Sequence, residues 1–350
     1  MTVITSHRDD AIIGRWLAIC AVTIFGMILL GGVTRLTESG LSMVDWRPIM
    51  GVVPPMTTDD WVYLFDQYKL FPEYQLVNKG MSLDEFKQIF WFEYLHRMLG
   101  RLIGIMFFVP LMIFLWMGKV KPALKPHLLF LLVLGGCQGL MGWYMVKSGL
   151  VDRPDVSQYR LTAHLGLAIA IYAYIVWLTI GLFSPNRSLR NDSGLGIFAV
   201  IALVYVMILS GGFVAGTNAG LSFPTWPLMG DSFIPPALYA QGFVSAFEQV
   251  TTIHFNHRML AYFTGAALVF LALQTWLTDS DKRLRKAGLM LLAAVTLQIA
   301  LGISTVLSHV NVAIAAGHQG GAVILLTATL FWVHCKRTEA QLDLAGDGSF

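Results

Sequence analysis

Residues 28–55 read ILLGGVTRLTESGLSMVDWRPIMGVVPP, and residues 208–236 read ILSGGFVAGTNAGLSFPTWPLMGDSFIPP. The two share I-L-x-G-G, then T-x-x-G-L-S, then a Trp, a Pro, Met-Gly and Pro-Pro in the same order. The likeness continues downstream. EYLHRMLGR at 93–101 matches HFNHRMLAY at 254–262, and AHLGLAIAIYAYIVW at 163–177 is echoed by GHQGGAVILLTATLFW at 317–332. A unit of this length written twice is the mark of an internally repeated architecture.

That unit belongs in a membrane. Of 350 residues, 56% are hydrophobic and 13% charged, about half the charged share of a soluble domain, and the mean hydropathy is +0.64. A soluble globule and a disordered chain are excluded. So is a nucleic-acid binder, because a net charge of +3 offers no footprint for a polyanion. A bilayer core of about 30 Å takes roughly 20 apolar residues in helical form. Eight runs qualify, at about 16–34, 89–117, 127–146, 161–183, 195–216, 252–277, 287–307 and 312–334. The expected fold is an all-α integral membrane protein whose eight transmembrane helices form two four-helix bundles. The halves are 1–190 and 191–350, joined by the basic stretch Arg187–Arg190. Four spans per half bring both halves in from the same side. The repeat is then parallel, with its pseudo-two-fold axis along the membrane normal.

Orientation follows from Lys and Arg. The N-terminus, the loops after spans 2, 4 and 6 and the C-terminus hold thirteen in short segments, among them Arg8, Lys119, Lys121, Lys282, Lys286 and Lys336. The other side holds eight, five of them spread over one loop at 35–88. Both termini are expected in the cytoplasm, with that loop and the one after span 5 in the periplasm. Trp46, Pro48, Trp61, Trp226 and Pro235 in these loops fit an interfacial belt. The first run lacks a small-residue cleavage site and leaves no room for an Arg-rich transit peptide. A bacterial inner membrane is the expected location. Cys20, Cys137 and Cys335 lie far apart and form no CxxC, so neither a thiol-bound metal nor a disulfide framework is expected.

Nine histidines are present. His7, His127 and His334 fall at expected cytoplasmic ends, and His309 at a short loop. Four others are related by the repeat, His96 with His257 and His164 with His318, each several residues inside the periplasmic end of an even-numbered span. At 1.5 Å per residue they share one depth. A lone membrane histidine more often hydrogen-bonds across helices than binds a metal. Two matched pairs instead fit axial ligation of a haem iron, one pair per half. A non-haem metal wants a third or fourth ligand, and only Glu93 and His254 stand nearby.

Arg97 and Arg258 directly follow their histidines. A membrane-buried arginine needs a partner, and two readings stand: a loop carboxylate or carbonyls, or haem propionates, which suit a planar bidentate donor. Glu93 lies one turn before His96 on the same helix face. It is either a structural acid for Arg97 or Arg101, or a proton carrier. Its repeat counterpart is His254, so only the first half carries this carboxylate.

With the repeat, the GGVTRLTESGLSMVDW segment, the EYLHR motif and the matched histidines in view, the sequence resembles the haem A synthase family over about residues 14–335. The resemblance implies oxidation of the C8 methyl of haem O to a formyl group, giving haem A for cytochrome oxidase. Substrate haem O would occupy the first half and a haem b cofactor, with its iron, the second. By motif, Glu93, His96 and His164 would form the reacting set, and His257 and His318 would bind the cofactor haem. Implied partners are haem O from a haem O synthase, an electron donor the sequence does not identify, and the lipid bilayer; a homo-oligomer stays open. Some members carry a cysteine pair in the first periplasmic loop. Residues 35–88 contain no cysteine, so a mechanism using a loop disulfide is closed to this chain.

Converting a methyl to an aldehyde removes four electrons, most simply by two hydroxylations and loss of water from the gem-diol. No side chain here oxidises a methyl, so iron and oxygen do the redox work while the protein orients and tunes. Two other classes compete. A di-haem electron-transfer cytochrome explains four histidines and a parallel repeat, but gives Glu93 no task. A transporter fits repeats and buried polar groups, but no broken-helix signature or midplane charge cluster appears.

Overall fold

The computed structural model describes residues 2–44, 50–149, 154–184, 187–189 and 195–340. Trp46, Pro48 and Arg190 lie outside these. Among the described residues, eight helices are long and apolar enough to cross a membrane: Arg8–Leu36, Leu83–Trp116, Lys125–Lys147, Gln158–Leu182, Phe198–Gly216, Val250–Thr278, Lys282–Leu307 and Val312–Arg337. They fall on the eight apolar runs and are numbered here as spans 1 to 8. The chain is a multi-pass membrane protein.

Span 2 begins two turns before its apolar run, at a capping box. Ser82 Oγ accepts from the Glu85 backbone N–H, and the Glu85 carboxylate accepts from that of Ser82, which settles two orphan donors at once. This extension gives the first long loop something to pack on. Phe86, Phe90 and Tyr94 join Phe65 and Tyr68 of the loop helix Thr58–Tyr68 in a small aromatic core. Trp61 rests against Phe90 and Trp91, with centroids 5.0 and 5.9 Å apart. Trp61 therefore belongs to a packed cap over span 2, where the sequence suggested an interfacial belt.

Spans 1, 4, 5 and 8 form the centre, with span 1 packed on 4 and 8, span 4 on 5 and 8, and span 5 on 8. Leu17, Cys20, Ile169, Ile175, Leu326 and Val333 are buried there. Spans 2 and 3 flank one side of this core and spans 6 and 7 the other. The neighbour pattern of spans 1–4 recurs in spans 5–8, which is compatible with two repeated halves. It breaks in one place: spans 6 and 7 pack along their length, whereas spans 2 and 3 touch at few positions.

The ends of the bundle sort by loop. Lys121 pairs with Asp10, Arg283 donates to Ser184 Oγ at 2.9 Å, and Lys336 meets Asp279 at 3.4 Å. Residues 187–189 form a short antiparallel ladder with 338–340. The start of span 1, the loops after spans 2, 4 and 6 and the end of span 8 thus share one end. At the other, Arg35 donates to Asn218 at 3.1 Å and Gln158 to Glu248 at 3.0 Å. An even number of crossings requires this arrangement.

Candidate functional site

The repeated Gly-Gly pair explains how the site is built. A Cβ on Gly31 would lie 2.9 Å from His96 Cε1, and one on Gly211 would lie 3.3 Å from His257 Cε1. The second glycine of each pair faces the other half: a Cβ on Gly32 would meet Gln319 of span 8, and one on Gly212 would meet Thr162 of span 4. A mid-helix glycine costs about 1 kcal/mol relative to alanine; close helix approach in a membrane offsets it. Spans 3 and 7 repeat the arrangement, with Gly142 against His164 and Gly302 against His318, at 3.1 and 2.9 Å. All four rings therefore sit edge-on to a glycine of the preceding span.

His96 and His164 lie within electrostatic reach of one another, as do His257 and His318. The site residues thus come together as two pairs, one from spans 2 and 4 and one from spans 6 and 8. Each of the four keeps some accessible surface, whereas His254 is 2% exposed. Nδ1 of His257 lies 2.8 Å from Ser210 Oγ, and Nδ1 of His318 lies 3.2 Å from Gln298 Nε2. Nδ1 of His96 and of His164 are buried with no hydrogen-bond partner among the described residues. No set of three His, Cys, Asp or Glu side chains converges on a metal-binding point among those residues. Gln138 Nε2 also lies 3.5 Å from His164 Nε2. Two imidazoles per half are the donor set that axial ligation of a haem iron takes. They do not supply the three or four protein ligands that a non-haem centre takes.

Glu93 is 3% exposed and every contact it makes is with a donor. One carboxylate oxygen accepts from Arg97; the other accepts from Ser42 Oγ at 2.7 Å and from the Met43 backbone N–H at 2.8 Å. Arg97 also donates to the Met43 carbonyl at 2.9 Å. In the second half Arg258 donates to the carbonyls of Thr225 and Pro227, at 3.0 and 2.8 Å. His254, in the place of Glu93, packs on Phe223, the repeat counterpart of Met43. Loop carbonyls are thus partners of both arginines. His334 is buried against Trp177 near the end of span 8.

Sequence reasoning gives no hint of Glu73, which sits in the short loop helix Pro72–Leu76. It is 5% exposed, and its Oε2 lacks a hydrogen-bond partner among the described residues. Tyr68, fully buried beside it, receives a hydrogen bond from Asn78 at 2.8 Å. Burial pushes the Glu73 carboxyl up to about 8, helped by the charges of Glu93, Glu38 and Asp155 and opposed by the Tyr68 hydroxyl. The folded loop therefore holds Glu73 protonated where an unfolded one would ionise it. Stability from this group is complete below the ordinary glutamate range and is lost as pH rises through about 8. Thermal stability of the purified protein is expected to fall between pH 5 and pH 8, and Glu73→Gln to flatten that slope. Equal slopes in the two proteins would contradict it.

The model of the COX15-CtaA family, described as cytochrome oxidase assembly protein, matches residues 14–330. Three curated relatives are similar over most of their length, each named heme A synthase. That of Nitrosospira multiformis is 49% identical over 92% of this chain and 92% of its own. That of Nitrosomonas eutropha is 46% identical over 95% and 94%. That of Agrobacterium fabrum is 42% identical over 91% and 89%.

Proposed function

We propose that this chain, which belongs to the COX15-CtaA family of cytochrome oxidase assembly proteins, oxidises the C8 methyl of haem O to a formyl group, producing haem A. The relatives' name supports the reaction. The observation that carries the reading is four histidines in two repeat-related pairs, each ring against a glycine, with a carboxylate one turn away in the first half only. His96 and His164 hold substrate haem O in the half 1–190. His257 and His318 hold a resident haem b in the half 191–350. Iron, with oxygen and an external electron donor, supplies the oxidising power that no side chain has.

The chain's own residues position and manage protons. The Glu93 oxygens are filled by Arg97 on one side and by Ser42 and Met43 on the other. Ser42 and Met43 tie the carboxylate to the start of the first loop, and Arg97 holds its other oxygen, so its position beside His96 is fixed from both sides. Arg97 and Arg258 hold loop carbonyls beside their histidines and would be the cations available to haem propionates. A di-haem electron-transfer cytochrome has no task for a carboxylate beside the histidine of one half only. Here the halves differ at Glu93 and His254 and at the seam between spans 2 and 3.

Function is tested by expressing the chain in a strain that makes haem O but no haem A. Haem A should appear in its membranes; unchanged haem O alone would overturn the reading. The lysine and arginine bias supports an orientation with both termini in the cytoplasm, in keeping with the proposed inner-membrane location. An alkaline phosphatase fused after the last residue should then be inactive, and an active fusion would contradict that orientation.

A further inference from the structure

We propose that Ser210 and Gln298 are positioning residues that lock the second-half imidazoles for iron, and that the lack of such partners in the first half makes it the half from which haem exchanges. The proposal rests on the reading of the four histidines as axial ligands.

Ser210 Oγ lies 2.7 Å from the Met207 carbonyl and 2.8 Å from His257 Nδ1. The hydroxyl has one hydrogen, and the carbonyl can only accept it. Directing that hydrogen to Nδ1 instead would leave two acceptor oxygens 2.7 Å apart. Oγ therefore accepts from Nδ1–H, and the proton on Nδ1 leaves the Nε2 lone pair free, the form in which a neutral imidazole binds iron. Gln298 stands in the corresponding place for His318, its amide nitrogen 3.2 Å from Nδ1 and its Oε1 buried without a partner. With iron on Nε2, Nδ1 carries the proton, and a half-turn of the amide presents Oε1 to it.

The first half lacks both devices. Leu30 occupies the repeat position of Ser210, and His96 Nδ1 has no partner among the described residues. Gln138, the counterpart of Gln298, gives its amide to the backbone carbonyl of His164 at 3.1 Å and reaches the ring only at Nε2, 3.5 Å away, so His164 Nδ1 is likewise without a partner among the described residues. Room does not explain the difference, because all four rings meet a glycine. An acceptor on the second ring nitrogen fixes tautomer and orientation and makes the ligand more basic; losing it typically costs 10–100-fold in affinity. The packing points the same way. Spans 6 and 7 close the second half, while the sparse contact of spans 2 and 3 leaves the first half parted at its outer edge. A resident haem must stay through every turnover, and a substrate haem must enter and leave.

The test loads the purified full chain with protohaem and follows its transfer to excess apomyoglobin, together with the midpoint potential of the retained haem. Two phases are expected, fast from the first half and slow from the second. Ser210→Ala or Gln298→Leu should speed the slow phase about 10–100-fold and raise the midpoint potential, and Ser210→Thr should restore both. Leu30→Ser should slow the fast phase, and decides the matter even if Ser210→Ala does not fold. Unchanged transfer and potential in Ser210→Ala and Gln298→Leu, or an unchanged fast phase in Leu30→Ser, would overturn the proposal. If His257→Ala with His318→Ala also keeps the slow phase, the ligand reading itself falls. If that double variant loses it while Ser210→Ala and Gln298→Leu do not, only the positioning role falls.

Discussion

Replacing His257 and His318 together with alanine is expected to abolish the low-spin haem b spectrum of a protein that still inserts in the membrane. Either substitution alone should remove most of it. His257 and His318, on spans 6 and 8, lie within electrostatic reach of one another, and each ring stands against a glycine, Gly211 or Gly302. Of the groups nearest to them, His254 is buried against Phe223 and Arg258 is engaged with loop carbonyls. A substitute ligand is therefore absent from the described surroundings. The helices stay apolar and equally long, so insertion should not suffer. A full haem b spectrum in the double variant would remove the resident-haem assignment.

The other large effect concerns Glu93. Glu93→Gln should lower haem A yield at least 100-fold, within the range for loss of a general acid or base, while the second-half spectrum stays. Its partners complicate the substitution. Arg97, Ser42 and Met43 all donate to the carboxylate, and an amide can accept on only one side. Ser42→Ala is the needed companion, since it removes one donor and keeps the titratable acid. A carboxylate that only anchors the loop predicts similar losses in Ser42→Ala and Glu93→Gln. A proton carrier predicts a small loss in the first and a large one in the second. Normal haem A yield from Glu93→Gln would make the acid purely structural.

Much of this was legible before any coordinates. Eight apolar runs long enough for a bilayer became eight helices, because a backbone in lipid must satisfy itself internally. The repeat could be read from the sequence alone, and the spacing sets the expectation that the four histidines share one depth. Other features required the third dimension. The Gly-Gly pair is visible in the sequence, but its two neighbours come from distant spans, so its double duty is not. The start of span 2 was hidden because LDEFKQ is polar, and polarity does not stop a helix that has a capping box. Glu73 looked like any loop acid, since burial in a loop depends on aromatic packing that carries no period. The contrast of Ser210 with Leu30 is plain in the repeat, yet it acquires meaning only once His257 Nδ1 is found beside the hydroxyl.

Extraction and chromatography of the haems held by the purified protein, from cells that make haem O, tests the central claim most directly. Protohaem should be found together with farnesylated haem, as haem O, haem A or a partly oxidised form. Protohaem alone would mean that no substrate haem binds in the first half, and would contradict it.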